Sequence, residues 1–335
     1  MNRIVISFFL NLITMIIYCQ QPSYSFGILN YNNSAKTASL GGYSVAVIDD
    51  DPTTSILLPS NNNPLSSGKV VLNYVNHFAD TDYAFLNYTH SFKEIGVFSA
   101  TLIYCNYGKF DYSDPDGKLS GAEFYVYDIM GQIGYSKKLF DNFRLGINLK
   151  YASSAYENYN ASALGFDIST TYFDPKKQLG SSILIQNIGR SIVSFQPSTK
   201  KENLPFNIQL SINKKLSHSP IRFHFMYHDL QKWNINSLES KNIDSKFKVF
   251  TGNLSNHIVL ASEFLFSESF NIRLGYNFKN RKDLQPVSKA GGIGFSWGVG
   301  FNVKKLNISY SYSRFHFSGT SNNLTIVKSI KKTNN

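Results

Sequence analysis

His224, His228 and Asp229 stand close together in one run, and an imidazole beside a carboxylate is the pairing that activates a hydroxyl or thiol nucleophile. No nucleophile signature accompanies them, so histidines that line a lumen or cap a turn account for the same residues, and the chain reads as a non-enzyme. Asp114 and Asp116, followed by Gly117 and Glu123, offer carboxylate oxygens of the kind calcium prefers. Counting back from Gly117, however, the first ligand position of a calcium loop falls on Tyr112, which has no carboxylate, and Asp111 is one place out of step. A polar loop with a Pro-Asp-Gly turn is the better reading. Asp49, Asp50 and Asp51 form an acidic run that could latch onto arginines such as Arg144 or Arg273, because charges taken out of water need partners. Gly291-Gly292-Ile293-Gly294 resembles a phosphate loop only superficially, since Phe295-Ser296-Trp297-Gly298-Val299-Gly300 continues it as glycines alternating with apolar residues. No cofactor and no metal are expected.

The elements that must position these residues are strands. Leu306, Ile308, Tyr310 and Tyr312 alternate with Asn307, Ser309, Ser311 and Ser313, so one face is apolar and the other small and polar. Leu145, Ile147, Leu149 and Tyr151 alternate in the same way with Arg144, Gly146, Asn148 and Lys150. Ile272, Leu274, Tyr276 and Phe278 oppose Asn271, Arg273, Gly275 and Asn277, and Ile221, Phe223, Phe225 and Tyr227 oppose Arg222, His224, Met226 and His228. A soluble sandwich would carry more charge on its wet face, whereas charged residues are only 16% of this chain and aromatic residues are 15%. That balance suits an all-β transmembrane antiparallel barrel, apolar outside and polar inside.

The bulk properties agree. A mean hydropathy of −0.19 excludes a bundle of apolar membrane helices but not a barrel, whose inward residues dilute the average. Residues 1–25, with Arg3 before an apolar stretch and then small and polar residues, have the organisation of a signal peptide. Its removal would take Cys19 with it and leave Cys105 as a single thiol inside a strand. The formal charge of +11 points toward anionic lipid headgroups or lipopolysaccharide, because an exported chain meets no nucleic acid routinely.

From residue 69 the pattern predicts about fourteen strands in one domain, 26–335. They lie near 69–78, 82–92, 95–107, 121–135, 143–154, 161–173 and 179–189, then near 205–216, 219–229, 255–267, 270–279, 289–302, 305–317 and 322–330. Phe140-Asp141-Asn142, Asp174-Pro175-Lys176-Lys177 and Ser217-His218-Ser219-Pro220 read as tight turns. Residues 108–120, 190–204 and 230–254 read as polar loops, and in the last of these Lys232, Trp233 and Asn234 are the candidate contacts for a partner. Residues 26–68 differ: their small residues and the pair Gly41-Gly42 suit a plug or arm packed close to other backbone.

The run 34–51, with its Leu-Gly-Gly segment before an acidic stretch, resembles the N-terminal signature of the FadL-like barrels. Tyr135-Ser136-Lys137-Lys138-Leu139, Asn187-Ile188-Gly189, Leu204-Pro205-Phe206-Asn207-Ile208 and the run 214–223 extend the likeness over most of residues 27–330. Within that group the chain is most similar to the PorQ family, outer-membrane components of the type IX secretion system. It departs from the FadL pattern at Asn63-Pro64, where Leu65 follows in place of the usual alanine. The resemblance implies an outer-membrane barrel of the cell-surface attachment complex, which holds a PorZ-like partner and stands near anionic lipopolysaccharide. The competing expectation is a FadL-like transporter of hydrophobic small molecules, which would need apolar residues pointing inward.

Overall fold

Alternating polarity can satisfy both faces of a strand only where the sheet divides two environments, and a sheet in lipid must have no edge, because its unpaired amides would find no partner there. The computed structural model meets both conditions, and describes residues 26–31, 34–114, 116–195, 202–235, 246–284, 291–314 and 319–330. The expected signal peptide, 1–25, lies outside them. Fourteen antiparallel strands form one closed ring: β1 Lys69–Asn76, β2 Asp82–Phe92, β3 Gly96–Ser113, β4 Leu119–Phe140, β5 Phe143–Tyr156, β6 Tyr159–Asp174, β7 Leu179–Val193, β8 Asn207–Lys215, β9 Ile221–Tyr227, β10 Ile258–Phe264, β11 Phe270–Asn277, β12 Phe295–Val303, β13 Leu306–Arg314 and β14 Thr320–Ser329. Each strand pairs with its neighbours in sequence, and β1 closes on β14 with Val71 opposite Val327.

The faces sort as the alternation requires. Along β5, Ile147, Leu149 and Tyr151 are exposed on the outside while Gly146, Asn148 and Lys150 are buried inside. An even number of strands puts the beginning of β1 and the end of β14 on one rim. On that rim the connections are short: 93–95, 141–142, 175–178, 216–220, 265–269 and 304–305. The opposite rim carries the long connections, 194–206, 228–257 and 278–294.

Several boundaries move for physical reasons. Residues 108–113, 119 and 120 are not a loop but continue β3 and β4 into the outer end of a ribbon that reaches 125. Both faces of that ribbon are largely exposed, so no polarity alternation marks it; Phe110 stacks on Phe124 at 5.6 Å, and Lys109 pairs with Glu123 at 2.9 Å. Asp114, at its tip, accepts the amides of Asp116 and Lys118, so it closes a turn. β7 likewise runs on to Val193. Residues 255–257 are not strand, because the helix α3, Lys246–Asn256, occupies the end of the connection before β10. A helix α4, Phe278–Leu284, replaces the expected end of β11, and β12 begins only at Phe295. Two shorter helices, α1 Ala35–Ser39 and α2 Thr53–Leu57, precede the barrel in sequence and lie within it.

Candidate functional site: the filled lumen

The segment 34–68 has little regular structure, so most of its amides and carbonyls need partners from elsewhere. The inward side chains supply them. Thr325 accepts the amide of Ala35 at 2.8 Å, and Ser296 donates to the carbonyl of Ser39 at 3.0 Å. Gln209 accepts from Ser44, and Asn213 donates to Ala46. Gln132 and Asn148 both donate to Ile56, at 2.9 and 3.2 Å, and Ser169 accepts the amide of Ser60. This explains why the inner face is built of Ser, Thr, Asn and Gln: it serves buried backbone rather than an open aqueous channel.

Where the segment touches the wall most closely, side chains disappear. Gly41 has φ +94°, a conformation costly for other residues, and any Cβ there would collide with Val259. A Cβ on Gly275, facing it from β11, would sit 2.6 Å from the Gly41 amide. Gly146 is bare for the same reason, with the backbone of Pro59 and Ser60 against it.

Two chemically different regions result. One is apolar. Val71, Val75, Tyr83, Phe85, Ile103, Cys105 and Met130 point inward from β1–β4, and with Ala152, Ala161 and Ala163 they enclose Phe26, Ile28 and Leu29. Gly27–Asn30 forms a single 3-10 turn there, Phe26 stacks on Phe195 at 6.4 Å, and Tyr31 stacks on Tyr83 at 4.8 Å. The Tyr31 hydroxyl lies 2.7 Å from that of Tyr107, which donates to Asp128 at 2.8 Å. Cys105 is a buried free thiol in this cluster.

The other region is ionic. Lys36, only 4% exposed, lies 2.6 Å from Asp49 and 3.4 Å from Asp51. Beside them on the wall, Glu263 binds Arg222 at 2.7 Å and Arg273 at 3.2 Å, with His224 at 3.8 Å. Three cations and three carboxylates thus balance inside the ring. Burial would lower the Lys36 ammonium pKa, but Asp49 and Asp51 outweigh it and hold it above the usual lysine value. Burial would raise Asp51, yet Lys36 and hydrogen bonds from Thr53 hold it below the carboxylate range. Asp49 is raised, burial prevailing over Lys36. A further pair, Lys150 with Asp167 at 2.8 Å, is buried at the β6–β7 bulge, where Asn187 adopts φ 59° and donates its amide to Asp167.

The acidic run therefore meets different partners from those expected. Asp49 and Asp51 bind Lys36, Asp50 binds Lys69 at 2.6 Å, Arg144 instead donates to the carbonyl of Asn62, and Arg273 goes to Glu263. Lys36, 13 residues before Asp49, was the nearer partner, because α1 and the acidic run fold back on each other inside the ring. His224 and His228 both point inward but do not meet. His228 lies 2.8 Å from Asp229 and stacks on Tyr43 at 3.9 Å, which covers the Leu-Gly-Gly turn. Among the described residues no nucleophile stands beside either ring. Trp233 is half exposed on the long rim, 5.2 Å from Phe250 and 5.8 Å from His257, with Lys232 and Asn234 exposed around it. Lys36, Glu263 and the apolar turn 26–31 escaped the sequence reading; the isolated charges among small or apolar neighbours were their only mark.

A polar cleft of about 380 Å³ opens at the long rim between Tyr43, Gln209, Asp229, Lys232 and Lys279. Three solved structures share this architecture. The toluene transporter TodX of Pseudomonas putida aligns with a TM-score of 0.53 and 10% identity, over 91% of this chain and 98% of that one. The toluene transporter TbuX of Ralstonia pickettii gives 0.50 and 10%, over 90% and 98%. A TodX deltaS2S3 mutant, described as a monoaromatic hydrocarbon channel, gives 0.52 and 12%, over 91% and 100%. The fold is that of the FadL-like barrels. No family model matches the sequence, and no curated protein is similar to it. The FadL-like structures named here are transporters and channels rather than enzymes.

Proposed function

We propose that the protein is an outer-membrane transporter of small apolar molecules, closed in this state by its own N-terminal segment. The observation that carries this reading is the apolar inner wall of β1–β4 and its occupant. A lumen meant only for water would not present Val71, Phe85, Ile103 and Met130 inward. What fills that wall is a single turn, Phe26 to Leu29, whose side chains a hydrocarbon could replace at little net cost in apolar contact. The ladder is hydrogen-bonded all round the ring, so the route runs along the lumen. Similarity to toluene transporters supports the same reading. The test is uptake of toluene into proteoliposomes by the full chain and by a Phe26→Ala/Leu29→Ala variant. Uptake that rises in the variant and is absent in protein-free vesicles supports the reading; equal, background uptake by both would overturn it.

A second reading follows from the long rim. Phe247 is 74% exposed on α3, close in sequence to Phe250, which with Trp233 forms an aromatic cluster outside the barrel. In this reading the barrel anchors a PorZ-like surface partner of a type IX attachment complex, as the PorQ resemblance implies, with Lys232, Trp233 and Asn234 among the contacts. Recovery of a secretion partner from outer membranes by wild type but not by a Trp233→Ala/Phe250→Ala variant would support it.

A further inference from the structure

The positive charge of this chain is not spread evenly over the barrel. Five of the six connections on the short-turn rim carry lysine in or beside the turn. Lys93 lies in the first, and the others hold the pairs Lys137-Lys138, Lys176-Lys177, Lys214-Lys215 and Lys304-Lys305. Only the turn 265–269 lacks one. Acids are fewer on this rim: Glu94 and Glu268 lie in two of its turns, Lys138 reaches Asp141 at 3.3 Å in an exposed pair that contributes little, and Lys177 reaches a partly buried Asp174 at 4.0 Å. On the long rim the described residues mix signs, with Asp114, Asp116, Glu157 and Asp229 against Lys118, Lys232 and Lys279.

Immediately toward the barrel's middle from the lysines runs a belt of outward aromatic rings. Phe98 packs on Tyr135 at 5.0 Å and Phe270 on Phe301 at 5.0 Å, while at the β4–β5 turn, nearer the rim than Lys137 and Lys138, Phe143 packs on Tyr172 at 5.1 Å and Phe140 is 72% exposed. Aromatic girdles sit at the boundary between hydrocarbon and headgroups, so lysines just beyond them stand at phosphate level. Bacterial barrels place short turns on the periplasmic side.

We propose that this lysine ring binds anionic phospholipid headgroups of the periplasmic leaflet. The chemistry is phosphate recognition by clustered ammonium groups, and the headgroup plane meets all five turns at once. Each lysine within screening distance of an anionic surface contributes roughly fivefold in partitioning at low salt. The inference concerns the wall, not the lumen, and stands whatever the barrel carries.

The test reconstitutes the full chain in nanodiscs of phosphatidylcholine with a minority of phosphatidylglycerol and measures the lipid retained around it. Wild type should enrich phosphatidylglycerol several-fold over the bulk ratio, and the enrichment should fall with salt. An eightfold variant with Lys→Gln at 137, 138, 176, 177, 214, 215, 304 and 305 should return to the bulk ratio, while Lys118→Gln/Lys232→Gln on the other rim should not. If the eightfold variant does not fold, the pairwise variants should each lose part of the enrichment. Unchanged enrichment in all lysine variants overturns the proposal. So does selective retention of lipid A over phosphatidylglycerol, or labelling of a Lys176→Cys variant by an impermeant maleimide on intact cells. Salt-labile capture of an acidic periplasmic protein without lipid enrichment would overturn it in favour of a protein partner.

Discussion

The two regions of the lumen are held by opposite kinds of force. Around Phe26, Ile28 and Leu29 the contacts are apolar and non-directional, so their loss can be made good by any hydrocarbon of similar volume. Around Lys36, Asp49, Asp51 and Glu263 the contacts are charge pairs, where removal of one member strands the others in a dry site. The comparison teaches that one strip of chain can be anchored at one place and exchangeable at another. The ionic region fixes the segment in the ring, and the apolar region is the part able to yield to cargo.

The largest expected effect is therefore in the ionic region. Lys36→Met should destabilise the barrel by about 3 kcal/mol, read from urea unfolding in vesicles, and adding Asp49→Asn with Asp51→Asn should restore most of that loss. A variant as stable as wild type would break the contrast between the two regions. Next, Gly275→Val should push Leu40 and Gly41 off the wall, costing about 1–3 kcal/mol. Its sharper sign is electrical: single-channel conductance in planar bilayers should rise as the segment loses its seat. Phe26→Ala should cost about 2 kcal/mol or below, less than buried phenylalanines usually lose, because the short turn can collapse into the space left. Added toluene should recover thermal stability in that variant more than in wild type, and no such recovery would remove the idea of an exchangeable occupant.

A smaller effect is expected from pH. Burial holds the His228 imidazole below the usual histidine range, against a contrary pull from Asp229, and burial lowers His77 to about 4. Both are neutral in the fold at pH values where the unfolded chain already takes up protons. Their contribution is complete above pH about 6.5 and declines as the pH falls below it. His228→Phe, which can keep the ring against Tyr43, should flatten part of that decline in unfolding titrations. Smallest of all, Lys109→Ala on the exposed ribbon should change stability by no more than about 0.5 kcal/mol.

Much of the fold was legible without coordinates. Leu306 to Ser313 declares two faces by itself, because side-chain direction alternates residue by residue and needs no distant information. The same local signal located all fourteen strands, and it failed where its cause was missing. The outer β3–β4 ribbon has no lipid on either side, and α4 begins within a run whose alternation still looked like strand. The candidate site was harder to see. Asp49, Asp50 and Asp51 announced that cations must lie near, yet arginines on the wall were as eligible by sequence as Lys36 and Lys69.

Residue order alone decided which surfaces are oily, where the chain turns, and that the inner face would be small and polar. Closure of the ring decided the rest. It brought Thr325 to Ala35 and Gly275 to Gly41, collected apolar side chains from successive strands into one patch, and set lysines from separate turns on one rim. Such encounters join positions hundreds of residues apart, and no local periodicity carries that information.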